Sequence, residues 1–117
     1  SNNDKRLSVD AKAFVQCVDR VSAVSNERSR AVKLSLANDS LTFTVSNPES
    51  GSATDELGVG YNADALDIGF NARYLLDITG QLDGDMAIFE LADSCSPTLI
   101  RDEQDSDALY VLMPMRV

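Results

Sequence analysis

Histidine and tryptophan are both missing from this sequence of 117 residues. The first absence removes the commonest general base and the commonest metal ligand together. Cysteine is scarce: Cys17 and Cys95 stand far apart and fit neither a CxxC pair nor a metal-ligand spacing. They read as two reduced thiols of a cytosolic core, since unpaired cysteine is among the most buried residue types. Positive charge is in deficit, ten Lys and Arg against nineteen Asp and Glu, a net charge of −9. That balance argues against a surface that grips DNA by neutralising phosphates, and for one that repels nonspecific partners. No run of about 18 apolar residues occurs, so nothing reads as a membrane span, and no signal-peptide pattern opens the sequence. The expected location is cytoplasmic, with no membrane contact.

Motifs for cofactors are lacking too. Gly58-Val59-Gly60 has the rest of neither a phosphate loop nor a GxGxxG turn, and reads as a strand irregularity. RDEQDSD, from Arg101, lacks the central glycine and closing glutamate of a calcium loop, so it reads as a solvated acidic loop. Asp83 and Asp85 belong to a tight turn. No catalytic residue, metal site or cofactor is expected, and the predicted protein is not an enzyme.

What is present is a hydrophobic fraction of 44%, enough for one domain over residues 1–117. A chain of this length buries roughly two-thirds of the surface it would expose unfolded. Asp10 is placed as a helix N-cap, and Phe14, Cys17, Val18, Val21 and Val24 then fall on one helical stripe. Lys12, Gln16 and Asp19 lie on the opposite side, and the helix is predicted to stop near Ser25 or Asn26. Val32, Leu34 and Leu36 alternate with polar residues, as do Leu41, Phe43 and Val45, giving a hairpin across the turn ANDS. NPESGSATDE reads as a polar loop, after which Leu57, Val59 and Tyr61 begin a third strand.

The order then recurs. Ile68 and Phe70 form a short strand, as Leu7 and Val9 do earlier, and Asn71 caps a second helix carrying Leu75, Ile78 and Leu82, with Gly80 as an early breaker. Met86, Ile88 and Leu91 follow as a strand, then Thr98 to Arg101, then Ala108 to Met113. LSLANDSLTFTV and FELADSCSPTLI superpose without a gap. The chain therefore reads as α+β, two pseudo-repeated strand–helix–three-strand units at about 7–61 and 66–117. Both helices are expected on one side of the sheets, where two copies can bury what one would leave wet.

The last ten residues, ALYVLMPMRV, are unusual. A buried strand meets Pro114, which cannot donate to a ladder, and two flexible methionines flank it. Tyr74, on the first turn of the second helix, has the apolar body and polar tip found at interfaces. These residues suit a binding surface, although from composition alone an ordinary core is the favoured reading of Met113, Met115 and Tyr74.

Four stretches carry a resemblance. YVLMPMRV, IGFNARYLLD, SNERSRAVKL and VSNPE occur in the order found in the C-terminal third of the bacterial sliding clamp, the beta subunit of DNA polymerase III. The match spans essentially the whole chain, and the repeat agrees with the DNA-clamp fold. The family forms a head-to-tail homodimeric ring around duplex DNA, each subunit with three such domains. DNA polymerase III alpha and other polymerases, the clamp loader and repair proteins dock short linear motifs in a groove between the second and third domains. The resemblance implies a noncatalytic processivity factor with groove residues Asn71, Tyr74, Cys95, Pro97, Val111, Leu112, Met113, Pro114, Met115 and Arg116. It also implies a ring contact at Ala23, Val24 and Glu49, and weak DNA contacts at Lys12, Arg20 and Arg73. Cys95 and Pro97 replace the valine and serine of some relatives, and Ser29 an aromatic, so motif preference could differ. The alternatives are a stand-alone peptide-binding module of the same fold and, from another class, a small carboxylate-based metal enzyme.

Overall fold

The computed structural model describes residues 4–23, 31–47, 51–82 and 84–115, of which 47 and 105–108 are described by backbone alone. Val24, Ser29, Glu49, Asp83 and Arg116 lie outside the described residues. In chain order the elements are β1 (Lys5–Asp10), α1 (Ala11–Ser22), β2 (Ala31–Ala37), β3 (Ser40–Asn47) and β4 (Gly51–Gly58). Then come β5 (Leu66–Asn71), α2 (Ala72–Thr79), β6 (Met86–Leu91), β7 (Thr98–Asp102) and β8 (Asp105–Leu112). The strand–helix–three-strand unit occurs twice.

Both helices start by the same device. Asp10 and Asn71 end their strands with extended backbone, and each side-chain oxygen accepts from a first-turn amide. Asp10 Oδ1 receives Ala13 N–H at 2.9 Å and Asn71 Oδ1 receives Tyr74 N–H at 3.2 Å, satisfying donors that the helix itself cannot. Phe14, Cys17, Val18 and Val21 of α1 are buried, as the stripe required. α1 packs on α2 and on strands of both sheets.

The two units exchange their first strands. One antiparallel sheet has the order β1-β6-β7-β8 and the other β4-β3-β2-β5. Thus β1 of the first unit pairs with β6 of the second, Leu7 opposite Phe89, while β5 of the second pairs with β2 of the first, Ile68 opposite Leu34. Neither unit can complete its sheet alone, so the core is shared. Phe14 marks the junction: its ring lies 5.3 Å from Phe43 of β3 and 5.1 Å from Phe89 of β6, one ring from each sheet.

Two isolated bridges stitch the sheets at opposite ends. Ser8 of β1 exchanges both backbone bonds with Gly60, two residues past β4, each at 2.9 Å. At the pseudo-equivalent place, Met115, three residues past β8, donates N–H to Gly69 O of β5 at 2.7 Å. A Cβ on Gly60 would sit 3.3 Å from Ser8 Cβ, so the close approach favours glycine there.

Three expectations need correction. Gly51 to Glu56 are not a loop: β4 begins at Gly51 and pairs with β3 throughout, ending at Gly58 before Val59 and Tyr61. The polar sequence hid it because the strand lies at a sheet edge, with alternating half-buried and exposed positions. RDEQDSD is likewise no open loop. Asp102 pairs with Asp105 across a two-residue turn, and the buried Asp102 carboxylate accepts from Gly84 N and Gln104 N, each at 2.9 Å. The gapless superposition of the two hairpins also fails. Phe43 faces Leu34 and Ile100 faces Phe89, so the counterpart of Phe43 is Ile100 and not Thr98. The β2–β3 turn has two residues, 38–39, with Asp39 at φ 57°, whereas the β6–β7 connection has six, 92–97.

Candidate functional site

One wall of the site is α2. Ala72, Leu75 and Thr79 are buried and fix the helix, leaving Asn71, Tyr74, Asp77 and Ile78 on its outward side. Thr79 Oγ1 donates to Leu75 O at 2.7 Å and Gly80 N to Leu76 O at 2.9 Å, closing the last turn. Gly80 is right-handed (φ −69°), so space selects glycine: a Cβ would lie 2.9 Å from Leu76 O.

The other wall is the end of β8 and the segment beyond it. Leu112 pairs with Thr98 and is buried, which turns Val111 and Met113 outward by strand alternation. Pro114 ends the ladder, and the Met115–Gly69 bond then holds the segment across the edge of β5. Between the walls lies a groove of ≈ 580 Å³, lined by Asn71, Tyr74, Asp77, Ile78, Val111, Leu112, Met113, Pro114 and Met115. Behind the same segment is a second cavity of ≈ 450 Å³, lined by Lys33, Asp67, Gly69, Ser94, Cys95, Pro114 and Met115.

Seven of the expected groove residues therefore meet in one place: Asn71, Tyr74 and Val111 through Met115. Cys95 lines the second cavity, and Pro97 lines neither. Asp77 and Ile78 belong to the groove and were missed, although their spacing of three and four from Tyr74 on one helix was the available signal. Ala23 is exposed at the C-cap of α1. Lys12 and Arg73 are exposed at the second position of their helices. Arg20 is engaged: its Nη2 lies 2.7 Å and its Nε 2.8 Å from Asp55 Oδ2 on β4.

That ion pair sets the local electrostatics. The hydrogen bond from Arg20, then that from Glu56 N–H, holds the Asp55 carboxyl below its ordinary value. Burial pushes the neighbouring Cys17 thiol up, aided by Asp55 and opposed by Arg20. Cys17 is thus a poor nucleophile, whereas Cys95 is exposed on the 92–97 turn, which corrects the expectation of two core thiols. Among the described residues no group of three or more Cys, Asp or Glu is placed to hold a metal ion, and no helix is long and apolar enough to cross a membrane.

The exchanged strands, paired helices and doubled stitching define a pseudo-duplicated α+β domain of the DNA-clamp type. Solved structures agree closely. A sliding clamp (DNA polymerase III subunit beta) from Bartonella birtlesii, solved bound to griselimycin, is 52% identical and covers 98% of this chain and 31% of its own, with TM-score 0.94. A Caulobacter crescentus beta sliding clamp is 48% identical over 100% of this chain and 31% of its own, with TM-score 0.97. The Escherichia coli beta sliding clamp is 36% identical over 116 residues, 99% of this chain. The family model for the DNA polymerase III beta subunit, C-terminal domain, matches residues 1–116. The chain belongs to the DNA polymerase III beta subunit family and corresponds to its C-terminal domain. It spans about a third of the length of the curated relatives it matches.

Proposed function

We propose that this chain is the C-terminal third of a noncatalytic processivity factor that tethers polymerases to duplex DNA, and that the groove against α2 docks short linear motifs. One observation carries the reading. Five large hydrophobic side chains are exposed among the described residues, and four of them, Tyr74 (56%), Val111 (59%), Met113 (60%) and Met115 (37%), line this groove. On a chain of net charge −9, such a concentrated apolar surface is the mark of a partner site. Methionine, which repacks around different side chains, suits a groove that serves several partners. The griselimycin-bound relative lends support, since clamps of this family accept a ligand.

The partners proposed are DNA polymerase III alpha and other polymerases, the clamp loader and repair proteins. The parent is proposed to be a cytoplasmic homodimeric ring, with Ala23, Val24 and Glu49 at the subunit contact. Lys12 and Arg73 are the better candidates for weak phosphate contacts, because Arg20 is occupied by Asp55. Cys95 and Pro97 would widen the docking surface through the second cavity and its rim.

The test is an NMR titration with a short peptide containing glutamine, leucine and phenylalanine. Shifts are expected at the Met113 and Met115 methyls and the Tyr74 ring. Tyr74→Ala or Met113→Ala is expected to weaken binding about fivefold or more while changing stability by less than about 0.5 kcal/mol, because both side chains are solvent-exposed. Silence at these groups in both this chain and the full-length parent refutes the groove.

A further inference from the structure

The groove is mostly apolar, with Asn71 as a neutral polar residue and Asp77 as the sole charged residue among its described lining residues. Its position on α2 is unfavourable in isolation. Asp77 sits in the last turn of a helix whose end carries the negative pole of the aligned peptide dipoles, and that turn has no basic residue to offset it. Leu76 O and Ile78 O, which accept from Gly80 and Gln81, point their negative ends the same way. Three residues earlier on the same face stands Tyr74, exposed and presenting an aromatic ring. A carboxylate, a helix C-terminus and an aromatic ring all attract cations, and here they share one corner of a mostly apolar cavity.

We propose that this corner is a specificity pocket for a cationic side chain, lysine or arginine, flanking the apolar part of a docking peptide. The inference rests on the reading of the groove as a motif site, and Asp77 is its specificity-determining residue. A cation placed there gains the carboxylate and the helix end together, and its alkyl stem covers Tyr74. An acidic residue at the same flank meets repulsion from both. The groove therefore selects by local charge as well as by apolar fit.

The experiment separates this local effect from the general pull of a chain with net charge −9 on any basic peptide. Peptides with one Gln-, Leu- and Phe-containing core carry Lys, Gln or Glu at either end, and each is titrated by NMR into the wild type, Asp77→Asn and Glu56→Gln. Glu56 is exposed on β4, so the last variant removes the same charge from a site outside the groove. At one of the two ends, the Lys peptide is expected to bind the wild type about two- to fivefold more tightly than the Gln peptide. That preference should vanish in Asp77→Asn, persist in Glu56→Gln and shrink in high salt. Equal affinities in the wild type, or a Lys preference that survives Asp77→Asn, overturn the proposal while leaving the groove standing. No shift at Tyr74, Met113 or Met115 with any peptide, in this chain and in the full-length parent alike, overturns the groove and this pocket together.

Discussion

Phe14 is the residue on which the two sheets meet, and its truncation tests the shared core. The ring is fully buried, with Phe43 tilted 66° at 5.3 Å and Phe89 tilted 42° at 5.1 Å. Phe14→Ala removes most of a side chain from a close-packed interior, a loss of about 3–5 kcal/mol against a total of about 5–15 kcal/mol for a domain. Phe14→Leu keeps much of the volume and loses the two ring–ring contacts, each of about 0.5–1.5 kcal/mol, so its expected cost is about 1–3 kcal/mol. Urea denaturation followed by circular dichroism measures both variants, with unchanged slopes confirming a two-state comparison. A double-mutant cycle pairing Phe14→Leu with Phe43→Leu, and another with Phe89→Leu, should each give a coupling above about 0.5 kcal/mol. Coupling to only one partner would mean that Phe14 belongs to one sheet and that the junction is held elsewhere. A cost below about 0.5 kcal/mol for Phe14→Leu would refute the argument altogether.

Two further outcomes follow from the Arg20 neighbourhood and the thiols. The Asp55 carboxyl is held low in the fold, so the unfolded chain takes up its proton first; its stabilising contribution is complete above the ordinary value of 3.8 and is lost as pH falls through the folded value. Asp55→Asn should therefore flatten part of the acid limb of the stability–pH curve, the Asp93 carboxyl, also held low, keeping the remainder, and an unaltered limb would show that the pair contributes nothing. With a thiol reagent such as DTNB, Cys95 should react rapidly in the native protein and Cys17 only after denaturation, because Cys17 is buried with its thiol pushed up; two fast thiols would contradict that environment.

Periodicity disclosed the elements better than their partners. The apolar stripe of α1, the two caps and the hairpin of β2 and β3 were legible because a 3.6 or 2.0 period records which face is buried. The exchange of β1 and β5 was not, since alternation says that a strand is half-buried and nothing about which strand it pairs with. β4 escaped notice for a related reason: at a sheet edge, Ser52, Thr54 and Glu56 can be polar without cost, so no alternation of apolar residues announced it. Of the site, the methionine–proline ending and Tyr74 drew attention through their chemistry, but Asn71 was joined to them by resemblance. No pattern in the sequence brings residue 74 to residue 113; the Met115–Gly69 bond and the exchanged β5 do that.

The pseudo-symmetry also explains why the groove occurs at one end of the domain. Each unit closes with a strand followed by a bridge to the first strand of a unit, Gly60 to Ser8 and Met115 to Gly69. Beyond β4, the chain is captured by the short β2–β3 turn. Val59 N–H donates to Asp39 O at 3.2 Å, Asp39 N–H to Tyr61 O at 2.8 Å, and Tyr61 is buried with its hydroxyl on Asp64 O. In the second unit the corresponding turn is six residues instead of two. Beyond β8, Met115 N–H bonds Gly69 O, with Met113 facing outward and a cavity on each side. Where the first copy seals its edge with a tyrosine, the second leaves a proline-stiffened ridge with apolar side chains unpartnered. Duplication accounts for the shared core, and the longer turn at 92–97 for the second cavity, which its Ser94 and Cys95 line together with Pro114 and Met115.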